Sequence, residues 1–245
     1  MDNVKSNEGK ELAIEVAGKR YARYPIRTET IMPTDVIGVV IEKYVRPHIK
    51  MGDTLFISER IIAIMQGRAY PIDEIKPSWL AKLLVRFVHK SPYGIGLGSP
   101  WTMELAIREA GAPLMLIGAL ASVLTKPLGM RGVFYRVVGH NINAIDGPCD
   151  NTVPPFNKYA KLGPLNPDKV AGDIRQQLGI EVVIIDANDL GVNVLGRSSE
   201  SISKSWCEQV FRDNPLGQSS ERTPLCLVEE IESHDESGLP ANLEH

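Results

Sequence analysis

The chain has 245 residues, 43% hydrophobic and 23% charged, an ordinary globular composition with ample length for a core. Its 27 basic and 30 acidic residues give a net charge of −3, which argues against a general nucleic-acid surface. Three cysteines, Cys149, Cys207 and Cys226, with no CxxC spacing, read as reduced cytoplasmic thiols rather than a disulfide framework or zinc site.

In chain order, residues 1–11 read as loose and polar, without the apolar segment of a signal peptide. Residues 15–24 suit one or two edge strands, with Gly18 as the turn. The spacing of Val36, Val39, Val40 and Tyr44 predicts a helix over 34–44 with Asp35 in its first turn. A turn at 51–53 leads to a short strand at 54–57. The polar triplet Ser58-Glu59-Arg60 then separates two apolar runs, as a strand end feeding a buried helix would, and Gln66-Gly67-Arg68 closes the unit.

Residues 77–89 read as a helix with Leu80, Leu83, Leu84 and Phe87 on one face. Gly94, Gly96 and Gly98 precede a helix over 100–110 capped by Ser99. With no strand before them and no GK[ST], these glycines read as a connector rather than a phosphate cradle. The apolar run 112–124 contains Pro113, Gly118 and Ser122 and falls short of a membrane span of roughly 20 residues, so a buried helix is expected. Residues 133–138 read as a strand closing on Gly139-His140-Asn141.

The stretch 166–191 is the most informative. Asn166 can cap a helix, Pro167 suits its first position, and Asp168 favours the positive end of the helix dipole. Val170, Ile174 and Leu178 form one apolar stripe, and Gly179 stops the helix. The β-branched run 182–185 is long enough for a buried strand, running into Asp186-Ala187-Asn188-Asp189-Leu190-Gly191. That segment is either a simple turn or a set of oxygen donors beyond a strand end, where ligands of open α/β sheets sit. A short helix at 206–211 and a last strand at 224–228 follow. Residues 12–232 are expected to form one domain and 233–245 a disordered tail ending in a tag remnant.

Two loops carry acidic and amide residues after predicted strands: Asp146, Asp150 and Asn151, and Asp186, Asn188 and Asp189. Strands sharing one sheet would let these loops hold a magnesium or manganese ion completed by phosphate oxygens; otherwise they are two unrelated turns. No Ser/His/Asp pattern is present, His140 reads as a structural hydrogen-bonder, and Cys149 lacks a histidine partner.

The ordered motifs resemble the coenzyme F420-0:L-glutamate ligase (F420-0:gamma-glutamyl ligase) family. Pro25-Ile26-Arg27-Thr28 with Met32-Pro33-Thr34-Asp35 is similar to its PVRT…PGD opening. Gly52-Asp53-Thr54-Leu55, Ser58-Glu59-Arg60 and Gln66-Gly67-Arg68 are similar to GDVLV…SEK…EGR. Asn143-Ala144-Ile145-Asp146 resembles NAGID, whose aspartate binds metal, and Leu165-Asn166-Pro167-Asp168 resembles LDPD. Asp186-Ala187-Asn188 resembles DTN, and Gly217-Gln218 a late site ahead of the last strand. Three departures stand out: NAGID has lost its glycine, so either Asp146 or Asp150 can take the metal position, the DTN hydroxyl is lost at Ala187, and the arginine-rich stretch after it is nearly uncharged from 191 to 197.

The resemblance implies an α+β fold with a mixed sheet and a GTP-dependent ligase working as a homodimer in the cytoplasm, with no membrane or nucleic-acid partner. It implies a Mg²⁺ or Mn²⁺ ion drawn from Asp146 (or Asp150), Asp186, Asn188 and Gln218. Ser58, Glu59, Arg60, Asn143 and Asn151 are the corresponding candidates for lining the nucleotide or substrate pocket. Related readings are an amide ligase for another carboxylate, or a nucleotide- or metabolite-binding protein without turnover.

Overall fold

The computed structural model describes residues 5–88, 96–130, 132–139, 141–188, 191–217 and 221–231. The fold is α+β, and the chain divides into two compact units: one from Met1–Gln66 with Leu165–His245, the other from Gly67–Pro164.

The first unit is built on a mixed sheet, six-stranded among the described residues, in the order β1-β2-β8-β3-β6-β7. β1 (Ala13–Val16) and β2 (Lys19–Ile26) form a hairpin whose two-residue turn, Ala17-Gly18, has positive φ at both positions. β8 (Leu225–Ile231) runs antiparallel to both β2 and β3 (Thr54–Ser58), whereas β3 and β6 (Glu181–Asn188) are parallel. β7 (Gly191–Arg197) pairs antiparallel with β6 and forms the far edge.

Strand alternation sends Leu55, Ile57, Val182, Ile184, Leu225 and Leu227 to one face. There they pack with α1 (Ile37–Tyr44), α2 (Glu59–Met65) and α7 (Pro167–Leu178) through Val40, Ile41, Ile61, Ile62, Ala171, Ile174 and Leu178. Phe56, Val183, Ile185 and Cys226 point to the opposite face, against Cys207 and Val210 of α8 (Lys204–Val210) and against Phe211. Phe56 stacks on Phe211 with ring centroids 4.2 Å apart, and burial pushes the thiols of Cys207 and Cys226 up to about 12.

The second unit is mainly helical. α3 (Trp79–Leu84), α4 (Pro100–Ala110), α5 (Ala112–Thr125) and α6 (Val133–Val138) accompany a two-stranded sheet of β4 (Ala69–Pro71) and β5 (Tyr159–Lys161). Ser99 and Thr102 form a reciprocal capping box that starts α4 where the sequence places it. The core joins Leu80, Leu84, Leu97, Met103, Leu105, Met115, Val138 and Leu162.

Five expectations need correction. Residues 133–138 are helical, not a strand; Phe134 and Val138 pack onto Gly118 of α5, and this tertiary contact overrides the β-branched composition. β6 runs three residues further than expected, because β7, which the sequence reading missed, pairs with it as far as Asn188↔Gly191. α1 begins at Ile37, so Asp35 lies ahead of it and accepts a hydrogen bond from the Met32 amide at 2.7 Å. Asn166 is left-handed (φ 46°) and makes no side-chain cap, although Pro167 and Gly179 do bracket α7. α5 is not buried: of its large side chains only Met115 is enclosed, and Leu83 and Phe87 are likewise exposed. His89, Gly94, His140, Asp189, Gln218 and the tail from 232 lie outside the described residues.

Candidate functional site

β3 and β6 run parallel with Ser58 opposite Ile185, so β3 ends and β6 continues three residues further toward the same edge of the first unit's sheet. The next residue of each segment is a carboxylate, Glu59 at the start of α2 and Asp186 within β6. Glu59 is buried at the start of α2; Asp186 and Asn188, two residues apart on a strand, share the face of Ile184 that the helices cover. Asp186 is half-buried and Asn188 exposed.

Two more chain segments reach this edge. β8 begins there, with Leu225 opposite Ile57 and the Ser58 amide donating to the Pro224 carbonyl at 2.8 Å. β2 ends there, with Ile26 opposite Leu225 and the Thr28 amide donating to the Arg222 carbonyl at 2.8 Å. Arg27, Thr28 and Arg222 thus join the three residues 58–60 on one rim. Arg222 adopts φ 56°, a left-handed conformation costing roughly 1 kcal/mol for a residue with a Cβ. Non-glycine residues held that way cluster at ligand clamps and active sites.

The sequence reading did not single out Arg27 or Arg222. Arg27 was visible only inside the four-residue motif at 25–28, and Arg222 carries no local signal. What reveals both is pairing between strands far apart in the chain.

Gln66 and Arg68 hold the base of each unit. Within the first, Gln66 Nε2 donates to the Leu165 carbonyl (3.0 Å) and its Oε1 accepts from the Leu165 amide (2.7 Å). Within the second, buried Arg68 donates to the Gly163 carbonyl (2.6 Å) and to Glu109 (2.6 Å). These residues of the QGR motif therefore tie chain ends together rather than lining the rim.

Asp146 and its neighbours lie in the second unit, and they do not follow a strand. A helix, α6, and a single 3-10 turn over Ile142–Ala144 precede them. Asp146 pairs backbone to backbone with Lys161 (3.1 and 2.9 Å), and its Oδ1 accepts from the Gly147 amide at 2.8 Å. The buried Lys161 ammonium donates to the Ala144 carbonyl at 2.8 Å. Asn143, Asp150 and Asn151 are exposed, the last two in a turn closed by Thr152 donating to the Cys149 carbonyl at 3.0 Å. The idea that two strand-end loops of one sheet carry both acidic clusters is thus corrected.

Among the described residues no group of three or more His, Cys, Asp and Glu side chains gathers as a metal cage. The oxygen donors of Asp186, Asn188 and Glu59 are of the chemical type that suits a hard divalent cation, whose remaining positions water and phosphate oxygens commonly fill. Arg27, Arg60 and Arg222 lie on the segments that meet at this edge, so the same edge carries the residue types, oxygen donors and guanidinium groups, that a metal-bound polyphosphate needs.

The sequence profile of the F420-0:Gamma-glutamyl ligase family matches residues 25–233. No curated protein matches the chain.

Proposed function

Because the chain belongs to the F420-0:gamma-glutamyl ligase family, whose members form amide bonds, we propose that it joins L-glutamate to the coenzyme F420-0 precursor at the expense of GTP. The observation that supports this most is the convergence of the 25–28, 58–60, 186–188 and 222–224 segments on one sheet edge through the β2–β8–β3–β6 ladder.

A carboxylate is a poor acyl donor because its leaving group would be oxide. Transfer of the terminal phosphoryl group of GTP to a precursor carboxylate oxygen breaks the P–O bond to GDP and yields an acyl phosphate. The neutral amine of glutamate then attacks the acyl carbon, phosphate departs, and the amine proton passes to solvent or a nearby base. Asp186, Asn188 and Glu59 would hold Mg²⁺ or Mn²⁺, which when bound supplies charge neutralisation for the polyphosphate. Arg27, Arg60 and Arg222 would orient phosphate oxygens through paired N–H donors, and Ser58 would line the nucleotide pocket. The protein is taken to act in the cytoplasm and as a homodimer, as the family resemblance implies.

Titration calorimetry with GTP and Mn²⁺ tests the reading, with GDP release as the activity readout. Binding and turnover in the unaltered protein, lost together in Asp186→Ala, are expected. No nucleotide binding with manganese present, or an unchanged Asp186→Ala variant, would overturn it. Asp146→Ala and Asp150→Ala assayed alongside report whether either carboxylate contributes.

A second reading keeps the chemistry and changes the carboxylate. The near absence of charge between Gly191 and Leu195, on β7 beside Asp186 and Asn188, favours it. A screen of acceptors and carboxylates with GDP release as the signal separates the two.

A further inference from the structure

The second unit carries an apolar surface that its own fold leaves open. On α5, Leu116, Ile117, Leu120, Val123 and Leu124 are 48–65% exposed, at the i, i+1, i+4, i+7, i+8 spacing of a single helix face. Leu128 (75%) and Met130 (47%) continue past its end, and Tyr135 and Val137 of α6 are exposed beside it in the chain. The reverse side of α5 packs into the core through Met115 and through Gly118, where Val138 leaves no room for a side chain. A helix apolar all round is normally enclosed, so the outer face of this one calls for a cover.

Charge identifies the cover. Between Glu109 and Asp146 there is no acidic residue, and none between Glu74 and Glu104. Residues 75–145 hold eight Lys and Arg against two Glu, in a chain whose net charge is −3. Both glutamates are engaged within the unit: Glu104 accepts from the Ser78 amide (2.9 Å) and Arg108 (3.0 Å), and Glu109 from Arg68. Lys82, Arg86, Lys126 and Arg136 are exposed on the same helices as the open apolar side chains, or next to them in sequence. A second copy docking by this face would bring the same net-positive stretch against itself. An anionic bilayer matches both features, apolar below and negative at the headgroups.

We propose that the α5 face seats the protein on an anionic lipid surface, lying in the interface without crossing it. No single helix among the described residues is long and apolar enough to cross a membrane. α4, which together with α5 has the length and composition of a bent span, buries Thr102–Ala106 in the core and is not free to insert. The sequence reading excluded a span and expected no membrane partner; exposure of α5 is what changes that second expectation.

The test is co-sedimentation of the full chain with phosphatidylcholine vesicles, with and without phosphatidylglycerol, with light scattering of the free protein alongside. Binding to the anionic vesicles only, falling with added salt, is expected. Leu120→Glu/Leu124→Glu abolishes it with an unchanged circular dichroism spectrum. Lys126→Gln, a substitution that leaves packing alone, lowers the partition coefficient about fivefold, as roughly 1 kcal/mol per cation requires. Failure to bind anionic vesicles, or binding unaffected by Leu120→Glu/Leu124→Glu, overturns the proposal. So does a dimer in solution that the same double variant converts to monomer, which would assign the face to a second copy.

Discussion

Ser58 and Ile185 face each other across the parallel β3–β6 ladder, and the residue after each is an acid, Glu59 or Asp186. The pairing is fixed by burial on both faces: Leu55, Phe56 and Ile57 and Val182 to Ile185 are all enclosed, so a one-residue slip would exchange the two cores. The sheet register thereby aims two acids from distant parts of the chain at one edge.

Asp186→Ala should therefore remove more than a hydrogen bond that merely orients a ligand. Loss of at least about a hundredfold in Mn²⁺-dependent GTP affinity is expected, beyond the 10- to 100-fold usual for groups that only orient ligands. Asp186→Asn keeps the size and the strand pairing and loses the charge. Calorimetry on both variants, with melting temperatures to confirm folding, separates a ligand from a structural residue.

Arg222 offers a different test. Its left-handed backbone is strained for arginine and free for glycine, so Arg222→Gly should leave stability level or raise it by up to about 1 kcal/mol. The carbonyl that accepts from the Thr28 amide is retained. If the guanidinium serves phosphate, GTP affinity falls by about tenfold or more while the melting temperature does not. A parallel drop in both would mean that the side chain is structural.

Much of this architecture was readable in the residues. Ser99 and Pro100 open α4, Pro167 and Gly179 bracket α7, and the polar triplet 58–60 marks the change from β3 to α2. Composition failed where contacts decide. The run at 133–138 is β-branched, yet it closes against Gly118 as a helix. β7 was hidden because Gly191-Val192-Asn193-Val194-Leu195-Gly196-Arg197 alternates weakly and skips a residue at the bulge opposite Ile184 and Ile185. Of the rim, the 58–60 and 186–188 segments were legible as motifs; their adjacency was not, because strand order is not a local property.

The pair of buried Arg23 and half-buried Asp213 gives the first unit an acid-labile link. Arg23 is fully enclosed in β2 and bonds the Asp213 carboxylate with two nitrogens, while also donating to the carbonyls of Val210 (2.9 Å) and Glu11 (2.5 Å). Burial pushes the Asp213 carboxyl up, but the hydrogen bonds and charge of Arg23 outweigh it and hold the group below its ordinary value. A depressed carboxylate contributes stability above the unfolded value of about 4, and that contribution is lost as pH falls through the folded value. Urea unfolding between about pH 2.5 and 7 should show this acid limb in the unaltered protein and a shallower one in Asp213→Asn. Asp213→Ala, which strands a buried guanidinium, should cost about 3–5 kcal/mol at neutral pH.

One substitution at two glycines should act with opposite signs. A Cβ on Gly196 would lie 2.4 Å from the Pro167 carbonyl carbon and 2.7 Å from the Asp168 amide nitrogen, both backbone atoms that cannot swing aside. This close approach lets β7 pass under the first turn of α7, where Asp168 Oδ1 accepts from the Arg197 amide at 2.8 Å. Gly196→Ala must therefore displace either the strand or the helix start, at a cost of about 1–3 kcal/mol. Gly172 sits inside α7 with nothing within 4 Å of its would-be Cβ, and its φ is not in the positive range. Gly172→Ala should instead stabilise by about 0.5–1 kcal/mol, through helix propensity and a less free unfolded chain. Melting temperatures that move apart for the two variants are the expected result; a shared direction would mean that the β7–α7 contact is looser than drawn.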